Sequence, residues 1–314
     1  MYVLLALLAT ALTSFLPILN KFLLRDMRPA QVAWAINAAS LPLLAVGTLL
    51  LTQCKIMNQP GSAVVSCTTN LPHVDAIFLL ALLGSALLNW MATLLSTVAL
   101  AKADASLVSP LLTFNPAFTL LVAWPTLGEV PGLRQTIGVA VVLLGAYLLD
   151  VEEARTGALA PLQVLVQRPG TLLALIASAL WGMTTVLEKL AIEHVTPPNG
   201  PLVALLGTVL LVALLTPGAF WSSRRTNASA SRRTWGELRR HAATFVVAAL
   251  IAGVAPLFGF TAIALGLVGY VTALFKLSAV LTILWAQLFL DEGNIRQRLF
   301  GAAVMVAGGI LIAV

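Results

Sequence analysis

GVAVVLLGAYLLD, residues 138–150, returns as GAAVMVAGGILIAV at 301–314, with Gly138 and Gly145 laid on Gly301 and Gly308. The same offset lays Glu129 on Glu292 and Asn115 on Ser278, and a slightly longer one aligns ALTSFLPILNKF (11–22) with ALWGMTTVLEKL (179–190). The second half of the chain therefore repeats the first. Each half carries five long apolar segments, so an odd number of crossings separates the copies and in a membrane they lie upside down relative to each other. Secondary transporters use inverted repeats of this kind to rock two halves around a site at the bilayer midplane.

Composition points to the membrane. Sixty per cent of the residues are apolar and ten per cent are charged, against about 25% charged in an ordinary soluble domain. Ten stretches reach or approach the ~20 residues a helix needs to cross the hydrocarbon core: 2–24, 30–52, 75–100, 105–127, 133–150, 170–192, 200–220, 243–265, 267–290 and 297–314. None alternates apolar with polar as a barrel strand does. The expected fold class is an all-α polytopic membrane protein of ten transmembrane helices, with 1–150 and 170–314 as five-helix repeats and 151–169 as their connecting loop. The first span reads as a retained signal anchor, since no basic segment and cleavage site precede it. The expected location is the plasma (cell inner) membrane.

Three connections exceed about ten residues, 53–74, 151–169 and 221–242, too short for a soluble catalytic domain. The third holds RRTNASASRRTWGELRR (224–240), whose six arginines supply much of the net charge of +6. Beside a membrane such a cluster anchors a cytoplasmic loop on anionic lipid rather than binding nucleic acid. Arg25, Arg28, Lys102, Arg155, Arg168, Arg296 and Arg298 fall on the same side as that loop, while the other side has little beyond Lys55 and Arg134. The positive-inside rule places both termini outside. Cys54 and Cys67 then share an external loop, where a disulfide could persist and two free thiols are the alternative. Asn227-Ala228-Ser229 is a glycosylation tripeptide of little weight.

The stretch from Ala99, with LLTFNPAFTLLVAWPTLGE (111–129) and the glycines of 138–150, resembles the drug/metabolite transporter superfamily, EamA type. An Ala-Leu ends one helix, a proline sits inside the next, a Gly-Glu closes it and a glycine-spaced helix follows. The second half repeats this at Ala264-Leu265, Asp291-Glu292, Gly301 and Gly308, with Ala279 in place of the proline and Lys276 in a segment that is usually neutral. The resemblance implies ten helices and carriage of small metabolites, often as export. It also implies cytoplasmic termini, against the charge count, which we follow because the six-arginine loop belongs to this chain.

Polar groups inside the spans are the candidate site. A charge at mid-membrane costs about 2.5–3.5 kcal/mol on insertion scales, so it faces a cavity or a partner. Lys276 lies about 14 Å into its span at 1.5 Å per residue, too deep for easy snorkelling. Its ammonium suits an anionic group of a solute or, alternatively, an internal partner such as Glu188. Asn115 precedes Pro116, which leaves the carbonyl four residues upstream without its amide partner; Asn115 and its counterpart Ser278 are solute contacts or interhelical links. Asn37, Asn89, Trp90 and Trp181 are further candidates. Trp34, Trp124 and Trp285 read as belt aromatics or cavity walls. Glu188 is the coupling candidate, an acid able to exchange a proton as solute binds. Asn20-Lys21 and Glu188-Lys189 match across the repeat within a turn of a span's end, where lysines snorkel cheaply. The glycine pairs mark close helix packing.

His73, His194, His241 and the two cysteines lack metal-ligand spacing, and no phosphate loop or nucleophile elbow occurs. The expectation is a secondary transporter with no enzymatic activity, cofactor or nucleic-acid partner, carrying an anionic or zwitterionic small molecule with proton or counter-solute coupling. An intramembrane lipid-handling protein and a channel are the alternatives; the first needs clustered His, Asp or Cys within the spans, the second rings of like charge.

Overall fold

A computed structural model describes residues 2–59, 62–67, 73–115, 117–118, 121–122, 132–149, 167–196, 200–224, 241–265 and 268–313. Without water, a lipid-exposed backbone must satisfy its own polar groups, and a helix does so within one segment. The apolar runs fold accordingly, into α1 (Tyr2–Leu23), α2 (Pro29–Gln53), α3 (Ala76–Lys102), α4 (Ala105–Leu112), α5 (Leu133–Leu149), α6 (Pro169–Glu193), α7 (Gly200–Arg224), α8 (Ala242–Leu265), α9 (Val268–Leu290) and α10 (Ile295–Ala313). Seven of these helices are long and apolar enough to cross a membrane; α5 and α9 carry shorter apolar stretches. The expected span 105–127 does not run through unbroken. After Leu112 the backbone tightens into i−3 turns, Thr113 N–H to the Pro110 carbonyl and Phe114 N–H to the Leu111 carbonyl.

Polarity is arranged for lipid. Leu4, Leu50, Leu80 and Leu288 stand exposed on the outside, while Thr10, Ser14, Thr97, Ser178 and Thr282 are buried. These hydroxyls tie helices together. Thr10 donates to the Leu274 carbonyl (3.2 Å) and Thr282 to the Ser14 carbonyl (2.7 Å), joining α1 to α9. Ser178 donates to the Leu112 carbonyl (3.1 Å), joining α6 to α4. Pro116, which has no amide hydrogen, cannot donate to the Leu112 carbonyl, and Ser178 supplies a donor to it.

The packing obeys a two-fold exchange of α1–α5 with α6–α10. Contact of α3 with α6 is matched by α8 with α1, α1 with α9 by α6 with α4, and α2 with α8 by α7 with α3. The direction of the axis follows from the glycines. A Cβ on Gly138 would lie 2.9 Å from the Gly308 carbonyl oxygen, and one on Gly145 2.8 Å from that of Gly301. The early glycine of α5 thus meets the late glycine of α10 and the reverse, so these repeat mates cross antiparallel at backbone contact. Only a two-fold perpendicular to the helices, in the membrane plane, relates them that way. The repeats are inverted.

Outside the helices, β1 (Cys54–Gln59) and β2 (Ser62–Cys67) form an antiparallel hairpin that the sequence reading left as loop. Cys54 and Cys67 are register partners across it, and directly opposed residues of an antiparallel pair have the Cα spacing that a disulfide needs. On the same face, β3 (His73–Val74) pairs with β4 (Val195–Thr196).

Candidate functional site

A cavity of about 480 Å³ opens between α1, α4, α6, α8 and α9, lined by Thr13, Ser109, Thr113, Trp181, Lys276 and Ser278 among others. It lies across the pseudo-two-fold, since Thr13 and Trp181 are repeat mates, as are Thr113 and Lys276. Prolines inside continuous helices, Pro17 of α1 and Pro256 of α8, line the cavity, and α4 ends at Leu112. Proline removes a helix hydrogen bond and bends the chain away from its neighbours. The Lys276 ammonium donates to Asn115 Oδ1 at 2.6 Å. Asn115 is uncharged, so the pairing holds the ammonium in place without neutralising it. The alternative partner, Glu188, is elsewhere. One wall of the cavity therefore carries a positive charge, and the walls offer hydroxyls and an indole besides.

A second chamber of about 210 Å³ adjoins at Pro256, between α2, α3, α6, α7 and α8, and is lined by Asn37, Ser40, Ser85, Asn89, Glu188 and Thr208 among others. Glu188 Oε1 accepts from Ser85 Oγ at 3.3 Å. The two hollows meet at one hydrogen bond, Trp181 Nε1–H to Asn89 Oδ1 at 2.9 Å, whose donor lines the first and whose acceptor lines the second.

At the end of α1 and α9 away from this cavity, charges gather that the sequence reading left apart. Asp291 and Asn294 take positive φ, 53° and 58°, a conformation Asp and Asn tolerate better than most residues, and the turn between them returns Glu292 to the start of α4. There Glu292 accepts from the Ala105 and Ser106 amides (2.9 Å each) and from Ser106 Oγ (2.5 Å). Arg298 donates to Ser106 Oγ (2.5 Å) and to Asp104 Oδ2 (2.9 Å). Lys21, expected to snorkel, donates instead to the Ala103 carbonyl and lies 3.9 Å from Glu292 and 4.0 Å from Asp104. The network fastens α1, α4 and α10 to one turn, and Lys21, Asp104 and Glu292 also line a cavity of about 280 Å³ at that end.

The histidines, read as unremarkable loop residues, form two matched pairs. His194 after α6 meets Asp75 before α3 at 2.7 Å, and His241 before α8 meets Asp26 after α1 at 2.6 Å. Exchange of the repeats carries one helix pairing onto the other with acid and imidazole swapped. Asp75 also caps α3 by accepting from the Phe78 amide at 2.8 Å. That amide first, and His194 second, hold its carboxyl below the usual range.

Of the residues nominated from sequence, Lys276, Ser278 and Trp181 line the cavity, Asn115 bonds Lys276, and Asn37, Asn89 and Glu188 line the second chamber. Trp90 lines neither; it packs with Trp34 and Leu94 against Ala33, Leu211 and Leu215. Trp34 donates to Thr216 Oγ1, and Trp285 donates to Ser14 Oγ and packs on Phe15. Trp124, Glu129, the 151–166 connection and the basic stretch 225–240 lie outside the described residues. Thr13, Thr113 and Thr282 were missed as lining; Thr113 was findable as the counterpart of Lys276.

A family model described as the EamA-like transporter family matches residues 1–150 and 168–314. A solved crystal structure covers 99% of this chain and 95% of its own at a TM-score of 0.57 and 15% identity, a likeness of fold alone. Among curated proteins none matches.

Proposed function

We propose that this chain, which belongs to the EamA-like transporter family, is a carrier that moves a small anionic or zwitterionic metabolite by alternating access. The units that rock are 1–150 and 170–314, and the solute site is the cavity on their shared axis. One observation carries this reading: Lys276 stands at the repeat interface in a 480 Å³ hollow, and Asn115, its hydrogen-bond partner there, is neutral. A charge held in the membrane without a counter-charge at its hydrogen bond stores affinity for an anion. Asn115 fixes the ammonium, Ser278 and Thr113 offer hydroxyls to neutral parts of the solute, and Trp181 supplies an apolar wall. Glu188 is the carboxylate for coupling. The charge cluster at Glu292 keeps one end shut while the solute site is reached from the other, and the direction of use proposed is export or exchange. The location proposed is the plasma membrane.

Counterflow in proteoliposomes tests the reading, with amino acids, organic acids and sugar phosphates as solutes. Saturable counterflow of an anionic or zwitterionic solute is expected, as an open pore does not give it. Lys276→Met keeps the length of the side chain and deletes the charge, so folding should survive while counterflow falls about 10- to 150-fold, the loss of one charge-assisted contact at roughly 1.5–3 kcal/mol. Normal counterflow by Lys276→Met sinks the anion site.

A further inference from the structure

The chamber beside Glu188 belongs to one repeat pairing only. The α1–α8 crossing, counterpart of α6–α3, has Asn20 where α6 has Glu188, and Leu250 or Ile251 where α3 has Ser85. It is filled by Leu19, Leu23, Ala248, Ile251 and Ala255. Two halves of one fold need not differ here, so the polar hollow is not a requirement of the fold.

Its lining presents lone pairs. Ser40 spends its hydroxyl hydrogen on the Asn37 carbonyl, Thr208 on the Ala204 carbonyl and Ser85 on Glu188. Asn37 spends an amide hydrogen on the Ala33 carbonyl and retains its side-chain oxygen. Pro256 has no amide hydrogen for the Ala252 carbonyl, and Ala252 lines the same chamber. Among the described residues the lining includes one carboxylate and no lysine, arginine or histidine. A hollow of oxygen acceptors with a single negative charge is built for a single positive one.

We propose that this chamber binds a monovalent metal cation of the size of Na⁺, held at Glu188 and Ser85, with the neutral oxygens of Asn37, Ser40, Thr208 and Ala252 receiving it directly or through the water that a hollow of about 210 Å³ retains. Divalent ions draw on several carboxylates or keep much of their water, and one acid does not supply that. A proton would need one acceptor and leave the other five idle. Carbonyls released at helix breaks coordinate Na⁺ in transporters of inverted repeats. The chamber touches the solute cavity through the Trp181–Asn89 hydrogen bond, and use of the cation in coupling rests on the carrier reading; the site does not.

The purified protein in detergent, heated in NaCl and in choline chloride at equal ionic strength, decides the point without a known solute. Na⁺ at tenfold its Kd should raise the melting temperature by roughly 2–4 °C over choline, and Glu188→Gln should lose that shift. Ser85→Ala and Thr208→Val, which keep the acid, should weaken Na⁺ about 3- to 10-fold and serve if Glu188→Gln fails to fold. No Na⁺ shift in the wild type overturns the proposal, as does a shift that survives in all three variants. A melting temperature that answers to pH through Glu188 and not to Na⁺ makes the occupant a proton and overturns it too. Lys276→Met should retain the Na⁺ shift. If it does and still transports, the anion site falls and the cation site stands; if transport needs Lys276 and no Na⁺ shift appears, only the cation site falls.

Discussion

Asn115 and Asp75 show how single side chains set the chemistry here. Asn115 gives its oxygen to Lys276 at 2.6 Å and brings no charge, so Asn115→Leu should leave the ammonium present but unplaced. The expected outcome is a half-saturating solute concentration raised about tenfold, one hydrogen bond to a charged group, with maximal counterflow little changed. Asp75 lies outside the membrane with its carboxyl held low by the Phe78 amide and by His194. A carboxylate lowered by folding adds stability above its unfolded value and loses it as pH falls through the folded one. Wild type should therefore melt above Asp75→Asn at neutral pH, and the gap should close below about pH 4. A gap unchanged on acidification sinks the assignment. Lys276 was legible from sequence because a lone charge in an apolar run has few explanations; its partner was not, since Asn115 is on another helix and Glu188 was an equally good guess.

Among the elements, α5 and α10 approach to backbone contact, and glycine is the reason. A side chain on Gly138, Gly145 or Gly308 would meet backbone atoms of the opposite helix at 2.6–2.9 Å, where nothing flexible gives way. Gly308→Leu should abolish the folded protein, read as loss of a monodisperse peak in detergent. Gly218→Ala meets nothing within 4 Å and should raise the melting temperature slightly, by the ~1 kcal/mol that alanine gains over glycine in a helix. The spacing of seven announced small faces on both helices. That the faces meet each other, and in antiparallel order, needed coordinates. The fourth span shows the reverse case, where an apolar run of ample length is interrupted after Leu112, whose carbonyl accepts from Ser178 of a neighbouring helix.

For the molecule as a whole, inverted repeats separate contacts that persist from contacts that break. Alternating access exchanges the conformations of the two halves, so a contact made by both survives the exchange. Asp75–His194 and Asp26–His241 are such a pair and serve as pivots of the proposed motion. The Glu292 cluster is not matched: Glu129 and Lys189 stand for Glu292 and Lys21, but Leu267, Gly269 and Gln135 replace Asp104, Ser106 and Arg298. Under the proposed alternating access it is the contact that opens. A thiol cross-linker between cysteines at Asp75 and His194, with Cys54 and Cys67 replaced, should leave counterflow intact. One between cysteines at Lys21 and Asp104 should stop it until reduced. Arg298→Gln should speed labelling of a cysteine at Ser109 from the closed end about 3- to 10-fold, modest because Asp104 is half exposed and its ion pair screened. Impermeant thiol labelling of intact cells, after reduction, should reach Cys54 and Cys67 and miss a cysteine at Ser229; the opposite pattern restores cytoplasmic termini and refutes the charge argument.

The repeated apolar segments were enough to specify helices, a membrane and an inverted pairing of halves. Each follows from quantities summed along the chain: the number of apolar residues in a run, the parity of the runs, the recurrence of glycines. The cavity, the chamber and the two kinds of charge contact follow from no such sum. Lys276 with Asn115, Glu188 with Ser85, and Arg298 with Asp104 are each separated by 100 residues or more, and which polar groups meet inside lipid depends on how helices cross at their smallest side chains.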